Sequence, residues 1–170
     1  MAVREQELIA AADIRPDKHA PRMSSRALSE RSTVVIFSAG DELYSGLTKW
    51  ARERGITSGH FTAIGALHSA VLGYYDLERK AYRNIPINEQ VELLSLIGDF
   101  AMDKGQTVLH AHAVVGFRDG STRGGHLIEA YASPTVELFV TTFPVVLRKQ
   151  PDPASGLDLI VLDALTPGAG

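Results

Sequence analysis

The chain has 170 residues, with 17 Lys and Arg against 20 Asp and Glu, and it contains no cysteine. This length suits one domain that can bury a core without covalent staples. The lack of cysteine excludes disulfides and thiolate metal ligands, so a metal site would have to use His, Asp and Glu. A net charge of −3 argues against binding nucleic acid through the overall electric field.

The N-terminal segment differs in composition from the rest of the chain. Residues 1–32 mix basic and acidic side chains and predict an N-terminal extension that is loosely ordered or docked on a partner subunit. We expect the domain proper over residues 33–165 and a short tail over 166–170. No apolar run reaches the ~18 residues of a membrane span, and acidic residues stand near the N-terminus, so we expect a cytoplasmic protein with no membrane partner.

The first predicted elements are a strand and a helix. The β-branched run Thr33–Phe37 is typical of a strand. Gly40-Asp41-Glu42 then opens a helix that stops at Gly55, because apolar residues recur at helical spacing and form one stripe. That stripe consists of Leu43, Leu47, Trp50 and Ala51.

The remainder of the chain predicts strands joined by short links. Short β runs broken by glycines occupy residues 57–76, and further runs follow along the chain. These further runs are 91–99, 107–117, 125–132, 136–143 and 157–162. One main amphipathic helix with about seven strands predicts an α+β domain built on a mostly antiparallel sheet.

One predicted strand carries two histidines in alternation. His110 and His112 project from the same side of this strand, about 7 Å apart along it. Arg118-Asp119-Gly120 then predicts a three-residue hairpin loop with glycine in the left-handed position. Such a loop pairs His112 with His126 and His110 with Ile128, so the third histidine lies beside the other two.

Two features of the sequence leave this register open. A two-residue loop would turn His126 to the opposite face of the sheet, and Gly124-Gly125 could form a bulge. The same glycines would also let backbone or ligand come close to a metal ion.

The three histidines are the predicted metal ligands. Three neutral imidazoles with an open fourth position are typical of a catalytic zinc site, so we expect Zn²⁺ or another divalent transition metal at His110, His112 and His126. The alternative interpretation is that each is a half-buried strand histidine bonded to backbone or water. The other histidines share no such spacing and are predicted to be structural; they are His19, His60 and His68.

Three charged residues are candidates for catalytic support. Glu137 and Glu92 each interrupt an apolar strand, and Glu137 is the predicted proton carrier or fourth ligand. Arg123 lies shortly before His126 and is the predicted clamp for an anionic substrate. The alternative for all three is an ordinary position facing solvent.

Four segments together resemble the plants and prokaryotes conserved domain, the PPC domain, a family often described as DNA-binding. The resemblance runs from about Val34 to Leu162. Its segments are Ala39–Leu43, Ile64–Leu67 with Leu72–Asp76, Val91–Gly98, and His110–His112 with Gly124–Leu127. It implies an α+β fold assembled as a homotrimer, and the histidines resemble those of metal-containing prokaryotic members. The fold is also similar to that of acetolactate decarboxylase, a zinc enzyme with a His-x-His strand.

The family description also implies DNA as a partner. Plant members combine this domain with Arg-Gly-Arg-Pro tracts that enter the minor groove, and no such tract occurs here. A trimer would bury apolar strand residues such as Phe139 and Val140 between subunits.

Three functions compete at this point. The first is a zinc-dependent hydrolase or lyase that acts on a small carbonyl or ester compound. The second is a DNA-binding or transcription-associated regulatory trimer, which predicts an affinity that falls steeply with salt. The third is a small-ligand-binding assembly module without turnover.

Overall fold

The computed structural model describes residues 8–10 and 22–167. Within these ranges the chain forms one helix and ten strands, and the ten strands belong to a single sheet. The elements are β1 (Leu8–Ala10), β2 (Ser24–Ala27), β3 (Ser32–Ser38), α1 (Leu43–Glu53), β4 (Gly59–Asp76), β5 (Ala81–Ile87), β6 (Val91–Asp103), β7 (Gln106–Gly116), β8 (Thr122–Thr142), β9 (Val145–Asp152) and β10 (Leu157–Pro167).

The mostly β architecture with one main helix is confirmed, whereas the prediction of about seven strands was too low. The predicted runs 125–132 and 136–143 are parts of one long strand, β8. In contrast, β5 and β9 were missed, because β5 contains a proline and β9 is rich in polar residues. Strands of this composition give a weak alternation signal, since proline and lysine are depleted in strands.

The strands β4, β6, β7 and β8 close into a ring. β4 pairs with β6, β6 with β7, β7 with β8, and β8 pairs back with β4. β5 extends the β4 edge and β3 extends the β8 edge. Because β8 pairs back with β4, both long edges of β4 are hydrogen-bonded. β4 therefore supports both β6 and β8, the two strands that flank β7.

The sheet is mostly antiparallel, as predicted, and it contains one parallel pairing. Met102 of β6 pairs with Arg148 of β9 in parallel orientation. This contact brings the β9–β10 hairpin against the β6–β7 hairpin, which local periodicity could not indicate. No helix in the described part of the chain has the length and apolar character needed to cross a membrane.

The helix forms as predicted, and its entry is held by a buried carboxylate. Glu42 is the N-cap, and its side chain accepts hydrogen bonds from the backbone N–H groups of Tyr44 at 2.9 Å and Ser45 at 2.6 Å. It also accepts from the N–H of Ala130 in β8 at 3.1 Å, which ties the helix start to the strand that carries His126. All residues of the predicted apolar stripe are buried.

Part of the predicted N-terminal extension joins the sheet. β2 pairs with β3 in antiparallel register, and the carboxylate of Asp41 accepts from the N–H of Arg22. β1, in the same segment, pairs with β5. Residues 1–7 and 11–21 lie outside the described residues. Residues 168–170 of the predicted tail also lie outside them.

Side chains of β7 alternate between the core and the outer face of the ring. Thr107, Leu109, Ala111, Ala113 and Val115 are buried. The residues between them face outward, and these include both histidines of the strand. The candidate site therefore lies on the outside of the ring, where the β9–β10 hairpin can reach it.

Candidate metal centre

The β7–β8 hairpin has the register that the loop predicts. The N–H of Gly120, at a φ of 82°, donates to the carbonyl of Phe117 at 2.9 Å, and the N–H of Phe117 donates to Ser121. A loop of this form closes the hairpin with three residues and leaves no bulge between Thr122 and His126. His112 therefore pairs directly with His126, as predicted.

The predicted pairing of His110 with Ile128 does not form. The β7–β8 ladder ends at the pair His112–His126, and β8 then continues along β4 with a register shift between Val71 and Leu72. Ile128 lies at this shift. A bulge here bends the strand away from β7, because the extra residue has no partner in the ladder.

The three histidine side chains nevertheless converge. One ring nitrogen from each of His110, His112 and His126 can be chosen so that all three atoms lie within 4.8 Å of one another. Nε2 of His110 and Nε2 of His112 are 3.1 Å apart. The ring centroids of His110 and His112 lie 5.2 and 5.5 Å from that of His126. Distances of this size let three nitrogens share one ion at about 2 Å each.

Burial keeps two of these imidazoles neutral. His126 is 8% exposed, and burial, followed by the charges of His110, His112 and Lys149, lowers its pKa to about 3. Burial and then Lys149 also lower the pKa of His110, against an opposing effect of Asp99. Neutral imidazole is the form that binds a metal, so the site is ready for a cation near neutral pH.

Asp99 is a site residue that sequence reasoning missed. It pairs with His110 across the β6–β7 ladder, and its Oδ2 lies 3.8 Å from Nδ1 of His110. A carboxylate on the far nitrogen of a metal-binding histidine orients the ring and raises its basicity. The signal was present in the sequence, since a two-residue turn at Lys104-Gly105 sets this pairing in the same way that the next loop sets His112 against His126.

Tyr82 of β5 fixes the plane of the most buried histidine. Its ring stacks on that of His126 with centroids 4.5 Å apart and an interplanar angle of 23°. Tyr82 is itself buried, and burial, followed by Tyr75 and Tyr44, raises the pKa of its hydroxyl to about 12. The phenol therefore stays protonated and serves as a wall of the site.

A cavity of about 500 Å³ opens beside the histidines. Its volume lies in the range of small-molecule sites. His110 and His126 form part of its wall, and Lys149 of β9 lines the same space. The other lining residues are Tyr44, Tyr82, Asp103, Lys104, Val108, Leu109, Gly156, Leu157, Asp158, Leu159 and Ile160. The β9–β10 hairpin thus covers one side of the site, and the sequence did not indicate where this hairpin lies.

The glycines before His126 serve the close approach of two strands. A Cβ at Gly125 would lie 2.7 Å from the carbonyl oxygen of Gly73 in β4. Gly73 is opposite His126 in the β4–β8 ladder, and a Cβ there would meet the ring of Tyr82 at 2.8 Å. The close approach at Gly125 is to the backbone of β4, and it keeps β4, β8 and the Tyr82 ring in contact around the site.

Glu137, the predicted proton carrier, is not brought to the histidines. It is exposed, and it pairs with Ile36 on one side and Ile64 on the other. Two strands, β4 and β6, separate its position from β7 across the sheet, which corresponds to roughly 14 Å. A local pattern could identify a polar residue on an outward face, but it could not give the order of strands.

Arg123, the predicted anion clamp, faces the wrong side. It pairs with Val115, whose side chain lies on the opposite face from that of His112. The guanidinium carbon of Arg123 instead lies 4.6 Å from the ring centroid of Phe117. Arg123 and His126 are an odd number of residues apart on β8, so their side chains lie on opposite faces of the strand.

The remaining polar candidates also lie apart from the site. Glu92 is exposed on β6, as its alternative interpretation expects. The ring of His60 stacks on Phe143 at 5.7 Å, and that of His68 meets Tyr131 edge-on at 5.5 Å. His19 lies outside the described residues.

The donor set fits a divalent transition metal. Nδ1 of His126 is buried without a hydrogen-bond partner, although a buried ring nitrogen normally has one. Three imidazole nitrogens suit zinc and its neighbours, whereas calcium and magnesium prefer oxygen ligands. Among the described residues, the three histidines are the group close enough to share an ion.

Solved structures share this fold. A protein from Bacteroides thetaiotaomicron, described as a candidate DNA-binding protein, is 27% identical, with 83% of this chain and 98% of that chain covered and a TM-score of 0.79. A plant- and prokaryote-conserved protein from Pyrococcus horikoshii is 28% identical, with coverage of 82% and 94% and a TM-score of 0.72.

A third structure bears on the histidines. A protein from Archaeoglobus fulgidus, described as metal-containing, is 30% identical, with 84% of this chain and 99% of that chain covered and a TM-score of 0.72. No curated protein matches the chain in sequence. The family model of the Plants and Prokaryotes Conserved (PCC) domain matches residues 24–144, which include all three histidines. The chain belongs to the Plants and Prokaryotes Conserved domain family, as its motifs indicate.

Proposed function

We propose that the protein binds one zinc ion through His110, His112 and His126 and exposes it to a small carbonyl or ester compound in the adjoining cavity. The observation that carries this proposal is the convergence of three ring nitrogens within 4.8 Å, one of them from a buried histidine with an unpartnered Nδ1. The metal-containing Archaeoglobus relative supports it. Other divalent metals bind such a site in the usual affinity order, so the identity of the ion is part of the proposal.

The residues around the ion would each have a separate task. Zinc, when bound, polarises a carbonyl oxygen or acidifies water, which is the chemistry of a hydrolase or lyase. The charge of Asp99, 3.8 Å behind the His110 ring, would raise the basicity of that ring, and Tyr82 stacks against the plane of His126. The two cavity carboxylates, Asp103 and Asp158, both contact Lys104, so neither is a free proton carrier.

Elemental analysis of purified protein tests the metal site. We expect about one zinc per chain in the wild type and loss of zinc in His112→Ala, because two imidazoles bind far more weakly than three. His68→Ala is the matched control, since this exposed histidine lies apart from the group. Full zinc content in His112→Ala, or none in the wild type, contradicts the proposal.

A hydrolysis assay separates turnover from binding alone. With p-nitrophenyl acetate, a zinc-dependent rate that disappears in His112→Ala would support the hydrolase form of the proposal. Zinc binding without any such rate, and without cleavage of other small esters or keto acids, would support the small-ligand-binding module instead.

The assembly that we propose is a homotrimer. The outer apolar patch, defined as Ile64, Leu94, Ile97, Val114 and Phe139, has side chains 40–59% exposed on the outer face of the ring. Val140, which was also expected at an interface, is instead in the chain's own core. Exposed apolar patches of this kind commonly mark contacts between subunits. Ile97 pairs with His112, so the patch adjoins the metal centre.

A second candidate function is DNA binding, which the description of the Bacteroides relative favours. It predicts binding of duplex DNA that weakens by orders of magnitude between 50 and 200 mM salt. Fluorescence anisotropy with a labelled duplex measures this affinity. Weak binding at all salt concentrations, as the net charge of −3 suggests, would exclude it.

A further inference from the structure

We propose that the cavity beside the histidines selects a small organic carboxylate, whose charged group lies between the metal and Lys149 and whose apolar part contacts the cavity wall. This inference rests on the proposed metal site. It adds the chemical class of the ligand and the residue that recognises it.

Lys149 is the available cation of the cavity. It is half-buried on β9, opposite Ile160 of β10, and it lines the same space as His110 and His126. Among residues 22–162, whose side chains the structure describes, no carboxylate lies within ion-pair distance of its ammonium group. A half-buried ammonium without a counterion is costly unless a ligand supplies one.

Lys104, the other lysine of the cavity, is in a different state. Its ammonium lies 3.1 Å from the carboxylate of Asp158 and 3.7 Å from that of Asp103. These contacts neutralise Lys104 within the protein. Lys149 is therefore the side chain whose charge remains for a ligand.

The charge balance of the site calls for an anion. A divalent ion on three neutral imidazoles keeps its whole charge, and Lys149 adds another, while Asp99 is the carboxylate beside the histidines. A carboxylate ligand would reduce this excess and could accept charge-assisted hydrogen bonds from the ammonium group.

The wall of the cavity indicates the rest of the ligand. Tyr44 and Tyr82 contribute aromatic surface, and the β9–β10 hairpin contributes Leu157, Leu159 and Ile160. Apolar walls with a few convergent polar groups are typical of sites for small organic molecules. An inorganic anion would leave this wall uncovered.

Calorimetric titration of zinc-loaded protein with benzoate and with benzamide tests the inference. The two probes have similar shapes and differ in charge. We expect benzoate to bind about tenfold or more tightly than benzamide, since one charge-assisted hydrogen bond accounts for a factor of this size. We also expect acetate to bind more weakly than benzoate, because acetate lacks the apolar body.

Variants assign the effect to Lys149. In Lys149→Met the preference for benzoate over benzamide should fall about tenfold, with zinc content unchanged. Arg148→Met is the matched control, because this exposed neighbour on the same strand does not line the cavity. It should keep the full preference.

Each failure has a distinct meaning. Wild-type protein without zinc overturns the proposed metal function itself. Zinc-loaded protein that binds benzoate and benzamide equally overturns the carboxylate inference alone. A full benzoate preference in Lys149→Met overturns the role of Lys149, and acetate binding as tight as that of benzoate overturns the apolar part of the ligand.

Discussion

Oδ2 of Asp99 lies 3.8 Å from Nδ1 of His110, directly across the β6–β7 ladder. The pairing follows from the tight turn at Lys104-Gly105, where both residues have positive φ. The carboxylate therefore stands behind the ring, and Nε2 of His110 is the nitrogen that approaches His112.

Asp99→Asn should weaken zinc binding by about 10–100-fold, because the neutral amide no longer raises the basicity of the His110 ring. Competition with a chromophoric chelator at pH 7 measures the affinity. Glu92→Gln, an exposed carboxylate on the same strand, is the control and should bind zinc normally. Equal zinc affinity in Asp99→Asn and wild type would show that Asp99 has no effect on His110 as a metal ligand.

Gly125→Ala should destabilise the protein and weaken zinc binding together. The new Cβ would lie 2.7 Å from the carbonyl oxygen of Gly73, and backbone cannot move aside as a flexible side chain can. Overpacking of this kind costs about 1–3 kcal/mol. Gly124→Ala is the matched comparison, since its Cβ would meet Ala113 at 3.2 Å. Urea unfolding should give a lower free energy of unfolding for Gly125→Ala than for Gly124→Ala. Equal destabilisation by the two substitutions would contradict the steric clash expected at Gly125.

The metal-free protein should lose stability as the pH falls below about 6.5. The pKa of His126 is lowered to about 3 in the folded chain, so between these values the unfolded chain binds a proton that the folded chain does not. The free energy of unfolding then falls by up to about 1.4 kcal/mol for each pH unit. The lowered pKa of His110 acts in the same direction.

Urea unfolding at pH 7 and pH 5, with chelator present, measures this dependence. His126→Gln removes the titrating ring and should flatten the slope, whereas His68→Gln should keep it. A slope of the same size in His126→Gln would show that other groups cause the loss.

Phe139→Asp should split the proposed trimer into monomers. The side chain of Phe139 is 50% exposed within the outer apolar patch, and a charge there would be buried without a partner at a subunit contact. Sedimentation equilibrium measures the mass, and circular dichroism checks that the fold is kept. Leu77→Asp, at a residue 65% exposed and outside the patch, should leave the mass unchanged. A wild-type protein that sediments as a monomer would contradict the proposed trimer.

Local signals in the sequence were sufficient for the helix and for the β7–β8 register. Glycine at position 120 and the alternation of His110 and His112 depend on neighbours within a few residues, so they can be read directly. Asp99 was within reach of the same reasoning through the preceding turn.

The structure departs from the expectations where strands distant in sequence meet. The predicted roles of Glu137 and Arg123 required strand order and face, which depend on how β4 closes the ring with β8. Lys149 and Tyr82 reach the site through β9 and β5, whose weak β patterns hid them. The bulge near Ile128, where β8 leaves β7 to follow β4, likewise has no signature in the hairpin itself.

The ring closure between β4 and β8 sets the order in which the ligands can come together. The β7–β8 hairpin brings His126 opposite His112 by local pairing. His126 reaches its buried place against Gly73 only when β4 and β8, which lie far apart in the chain, have paired. Such non-local pairing is slow compared with hairpin formation. The buried form of the metal centre would thus be completed only when the ring closes, and zinc affinity would report on that late step of folding.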